Sequence, residues 1–166
     1  MQVEIKLELM ELMLYYWQTT ADREKVGENY IIDIANQEDM EILYDDEFTK
    51  ESVRKSLSSI SNKEPFKPDN KKEGRFWNNN MWMLEDMDFM MMMYAPIKKM
   101  NLDELGEKIA LDSKITVHFV PGHIDISKRV ENDVYINFFR VKADLYEDDK
   151  LTIEDKSIPD YIASLF

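Results

Sequence analysis

The chain has no cysteine, and that one absence removes disulfides, thiolate zinc sites, iron–sulfur ligation and a cysteine nucleophile. Glycine is scarce: Gly27, Gly74, Gly106 and Gly122 are the four in 166 residues. No two stand close enough for a GxGxxG turn or a Walker loop, and no GxSxG elbow occurs, so these phosphate cradles and the usual serine-hydrolase signature are excluded. Cations are short as well, 21 Lys and Arg against 34 Asp and Glu, for a formal charge of −13. Lys and Arg supply most non-specific affinity for phosphates, so nucleic acid is disfavoured as a partner, and anionic membrane surfaces equally. Long apolar runs are missing too. The most continuous, residues 89–95, stops at Pro96, far short of the roughly 20 residues of a spanning helix. Residues 1–17 carry Glu4, Lys6, Glu8 and Glu11, charges that a secretory apolar region does not tolerate. A soluble cytoplasmic protein is the expectation.

What remains is enough for a core. Hydrophobic residues make up 44% of the chain and aromatics 11%, and a chain of about 150 residues buries about 70% of its unfolded surface on folding. One domain is expected over 1–166. Residues 2–20 have helical spacing at Ile5, Leu9, Leu12, Met13 and Tyr16, although Val3, Ile5, Leu7 and Leu9 also alternate in strand fashion. Residues 30–34 and 40–44 read as two β-prone runs of a hairpin. Phe48, Thr49 and Val53 predict a capped helix over about 50–60. Residues 61–80, with Pro65, Pro68, Gly74 and many Asn and Lys, read as the longest loop. Seven of the twelve methionines fall in 81–94, where periodicity fits either a strand or a helix capped by Asn80 and the helix formers favour the helix; Pro96 ends the element, and a short helix at 101–109 follows. The last third turns β-prone, at 115–120, 123–127, 133–145 and 150–153, before a short terminal helix opened by Ser157 and Pro159. The fold class is therefore α+β, an N-terminal helix-rich half packed on a C-terminal antiparallel β-meander. In its central strand Val134, Ile136 and Phe138 are expected on one face, and Tyr135, Phe139 and Val141 on the other.

Candidate chemistry concentrates in His118-Phe119-Val120-Pro121-Gly122-His123-Ile124-Asp125. A two-residue turn at Pro121-Gly122 places His118, His123 and Asp125 on one face, where two imidazoles and a carboxylate suit a divalent metal or proton transfer. Against this, an L-Pro-Gly type II turn has the wrong twist for a tight hairpin. No EF-hand loop is present in the acidic runs 38–47 and 144–155. Those runs instead suggest association with a basic partner. Asp45, Asp46 and Glu47 precede the helix at 50 and lie near its positive end, whereas Asp148 and Asp149, in a turn, lack that compensation. The reading that follows is a cofactor-free, non-catalytic protein-binding module of the immunity, antitoxin or inhibitor type, presenting an acidic face to a basic protein. The alternative is a small metal-dependent or acid/base enzyme using His118, His123 and Asp125.

Overall fold

Both readings of the amino terminus hold in turn: β1 (Val3–Lys6) is a strand, and the helical spacing takes over in α1 (Glu8–Ala21). The computed structural model describes residues 2–109 and 114–166. Leu9, Met10, Met13, Tyr16, Trp17 and Thr20 are the buried stripe of α1, following the three-and-four spacing of an amphipathic helix. The expected hairpin at 30–44 is not formed. Instead α2 (Glu28–Ala35) and the one-turn α3 (Glu38–Glu41) occupy it. Ile31, Ile34 and Ala35 fall on one buried helical face, and packing overrides the β propensity of the isoleucines. The helix predicted near residue 50 is α4 (Lys50–Asn62); the Thr49 side chain accepts from Ser52 N, and the Ser52 side chain accepts from Thr49 N.

The long loop expected at 61–80 contracts to 63–70, because α5 (Lys71–Glu85) begins inside it. Asn70 caps this helix by accepting from Glu73 N at 3.0 Å. Glu73 itself turns inward, where it accepts from Ser52 Oγ and pairs with Lys55 at 2.8 Å. Asn80, expected as a cap, is fully buried within α5 and accepts from Trp17 Nε1 at 3.0 Å. The break falls at Asp86, which caps α6 (Met87–Lys99) through Phe89 N. Pro96 lies within α6 and does not end it. The expected helix at 101–109 is the single turn α7 (Leu105–Lys108).

The class is α+β, as expected, but the meander is not purely antiparallel. β2 (Ile115–Val120) pairs in parallel with β1 on one side and with β4 (Asp133–Asn137) on the other. β3 (Ser127–Val130) runs antiparallel to β4, giving the order β1-β2-β4-β3. A 3₁₀ turn (Phe138–Arg140) ends β4 where a longer strand was expected. A second, antiparallel sheet follows from β5 (Lys142–Ala143), β6 (Leu151–Ile153) and β7 (Lys156–Ser157), and α8 (Ile158–Ala163) closes the chain.

Alternation gives the four-stranded sheet two unlike faces. Ile115, Val117, Phe119, Val134 and Ile136 are fully buried and share one face. The opposite face carries His118 and Tyr135, directly paired across β2 and β4. Its cover includes α3, whose Asp39 reaches His118. Phe138, just beyond β4, is fully buried and stacks on Trp17 with ring centroids 5.8 Å apart. Phe138→Ala is therefore expected to destabilise by about 3 to 5 kcal/mol in chemical denaturation. A loss below about 1 kcal/mol, the range of surface changes, contradicts this placement.

Candidate functional site

Residues 121–126 do not form a hairpin turn. β2 ends at Val120, and the chain must cross the carboxyl end of β4 to reach β3, since β4 lies between them. Asn137, the last residue of β4 and almost fully buried, holds that crossing. Its Oδ1 accepts from Gly122 N at 3.2 Å and from Phe139 N at 3.1 Å, while its Nδ2 donates to the carbonyls of His123 at 3.1 Å and Asp125 at 3.0 Å. Its backbone N–H donates to Ile126 O at 2.9 Å. A Cβ at position 122 would stand 2.7 Å from Asn137 Cγ. Glycine is needed here for close approach, not for an unusual backbone angle.

This crossing separates the three residues expected to share a face. His118 lies on β2 beneath α3. Its Nδ1 is 3.0 Å from both oxygens of Asp39, and its Nε2 is 2.8 Å from Asp133 Oδ1. Carboxylates only accept, so both ring nitrogens donate and the ring is an imidazolium. Burial lowers its pKa, but the hydrogen bonds and charges of Asp39 and Asp133 outweigh that and raise it above the ordinary 6.5. The ring also stacks on Tyr135, with centroids 4.3 Å apart and planes 14° from parallel.

His123 is in the crossing loop, edge-on to Phe48 at 4.8 Å. Its Nδ1 accepts from Ile124 N at 2.7 Å, which assigns the proton to Nε2, 3.5 Å from the Leu43 carbonyl. Burial, chiefly, pushes its pKa below the ordinary value. Asp125 is exposed. The expected metal set therefore does not assemble, and among the described residues no group of three or more His, Asp or Glu side chains is placed to hold a metal. Asp39 and Asp133 carried no sequence signal, being 79 and 15 residues from His118.

Beside His123 a cleft of about 150 Å³ opens at the carboxyl ends of β2 and β4, lined in part by Asp45, Asp125, Lys128 and Tyr135. It is smaller than the roughly 300–1,000 Å³ of ordinary ligand pockets. No buried side-chain nitrogen or oxygen among the described residues lacks a partner.

The acidic candidates differ from one another. Asp45 accepts from Glu47 N at 2.8 Å and Phe48 N at 2.9 Å and pairs with Lys72, which holds its carboxyl down at about 2. Glu47 lies 3.9 Å from Lys72, and Asp46 is exposed. Asp148 and Asp149 are exposed, with Lys99 at 3.8 Å from Asp149. Acid is concentrated at the amino end: residues 1–49 contain 13 Asp and Glu and 3 Lys and Arg, a net −10 of the total −13. Comparison with protein-family models, with curated proteins and with solved structures found no match.

The His118 clamp has a definite pH signature. A raised imidazole pKa gives stability that is complete below the unfolded value of 6.5 and is lost as pH rises through the folded value. His118→Gln should therefore cost about 2 kcal/mol at mildly acidic pH, the scale of charge-assisted hydrogen bonds. The gap from the native protein should narrow with increasing alkalinity. Urea denaturation across neutrality checks this, and a gap that widens with pH contradicts the clamp.

Proposed function

We propose that the protein is a non-catalytic binding module that presents an acidic surface to a basic protein, as immunity proteins, antitoxins and inhibitors do. The observation that carries this reading is the uneven charge, net −10 within residues 1–49. An excess of negative charge raises the encounter rate with a cationic partner. The engagement of His118 and His123 in internal bonds adds weight, because it leaves neither ring with a free nitrogen for proton transfer to a substrate. No helix among the described residues is long and apolar enough to cross a membrane, which agrees with a partner met in water.

Within the acidic clusters the roles divide. Asp45 ties the segment before α4 to Lys72, so its replacement tests stability more than steering. Asp46, Glu47, Asp148 and Asp149 are exposed and suit a test of association. A partner captured from native lysate and purified is measured by stopped flow against the protein and a variant with these four changed to Lys. The expected result is an association rate at least about tenfold slower for the variant, and a steep decline with salt for the native pair. An acidic partner, or a rate that ignores both salt and reversal, leaves the charge with a solubilising role only.

A further inference from the structure

A depression of about 380 Å³ lies between the end of α5, the start of α6 and β5. Ordinary small-molecule sites begin at roughly 300 Å³, so this one reaches a size that the cleft beside His123 does not. Phe139 and Val141, both buried, belong to its wall together with the half-buried Phe89, while Trp82 is 42% and Leu145 70% exposed. Trp82 packs on Phe89 with ring centroids 5.0 Å apart and planes 34° from parallel. A ligand that covers the exposed indole and leucine takes apolar surface out of water, which favours binding.

The charged groups select the ligand. Arg140 and Lys142 are in the lining, and among the described residues no carboxylate is. Arg140 is engaged, donating to Ile124 O at 3.2 Å and pairing with Glu154 at 3.3 Å. Lys142 is exposed and has no carboxylate partner among the described residues. Glu85, Asp86 and Asp88 lie between Trp82 and Phe89 in the chain, and Asp144 between Ala143 and Leu145, yet none of these four lines the depression. Asp86 is turned to Phe89 N, and Asp144 to the backbone of Tyr146 and Glu147 and to Lys150. The net charge of −13 opposes any anion, but the Debye length at physiological salt is about 8 Å, so the ammonium at the site outweighs acid on remote surfaces.

We propose that this depression binds a small aromatic carboxylate, its ring against Trp82, Phe89 and Leu145 and its carboxylate at Lys142. A flat ring gives up less conformational freedom than a flexible chain in a site open to water, and it adds aromatic contacts with Trp82 and Phe89. None of residues 1–49 lines the depression, so the site goes beyond the acidic-module reading and does not depend on it.

The probe is naphthoate, followed through the indole N–H signals of the three tryptophans in ¹H–¹⁵N correlation spectra. Trp17 and Trp77 donate from Nε1 to Asn80 and Ser59 within the protein, so the Trp82 signal, identified by its loss in Trp82→Phe, should move alone. It should saturate with a Kd at or below about 1 mM, the range open to a ligand of this size. Naphthamide, which lacks the charge, should bind about threefold to fivefold more weakly, the scale of an exposed ion pair, and naphthylmethylammonium more weakly still. Lys142→Glu, at an exposed position, should reverse the order, so that the ammonium binds more tightly than the carboxylate. Leu145→Ser should weaken naphthoate at least about threefold through lost apolar contact. A response at Trp17 or Trp77 in place of Trp82, or no saturation by about 10 mM, overturns the site. So does a native preference for the neutral or cationic compound, an order that Lys142→Glu leaves unchanged, or indifference to Leu145→Ser. Tighter binding of octanoate, or of a short peptide ending in Phe, overturns it too by assigning the depression to an alkyl chain or a protein terminus.

Discussion

The side chain of Asn137 is the point on which the C-terminal half depends. A strand inserted between two neighbours that are consecutive in sequence forces the connecting loop across its end, where backbone groups lose ladder partners and must find others. Asn137 supplies them, bonding to the backbone of Gly122, His123, Asp125 and Phe139 from one amide. The arrangement works because Gly122 has no Cβ to occupy the 2.7 Å gap. With the crossing fixed, β2 and β4 lie side by side in parallel, and His118 and Tyr135 come into register.

That register decides what the titratable groups do. The sheet face opposite the core places His118 between Asp133 on β4 and Asp39 on α3, so the imidazolium joins α3 to the sheet by two charge-assisted bonds. The crossing loop meanwhile folds His123 inward against Phe48 as a neutral ring. The two histidines are driven to opposite protonation preferences by their surroundings, one by carboxylates and the other by burial. Each has a structural task. Charge with no internal partner, such as that of Asp46 and Asp148, is left to the outer surface, where it suits long-range attraction.

Local signals were legible in the sequence and long-range ones were not. The cap of α4 could be read because Thr49 and Ser52 are three residues apart and complete the motif between them. Burial of Val134, Ile136 and Phe138 followed from apolar patterning. The Asn70 cap was equally local, but Lys71, Arg75 and Asn78, polar and exposed on α5, imitate a loop. Pro96 failed as a stop because α6 continues through it to Lys99, and tertiary packing can sustain a helix that propensity alone would end. The partners of His118 and the role of Asn137 had no signature at all. Asp39 is 79 residues from His118, and Asn137 bonds mainly to backbone groups, which leave no residue-type pattern.

The central claim is that the 118–125 region is built for structure and that recognition belongs to the surface. Long-range ¹H–¹⁵N correlation of the two imidazoles through a pH titration, repeated with added zinc, tests it most directly. The account predicts His118 titrating above 6.5 and donating from both nitrogens below its raised pKa, His123 protonated on Nε2 and titrating below 6.5, and no zinc-dependent shift in either ring. Coincident ordinary titrations, or both rings shifting together on zinc, would contradict it.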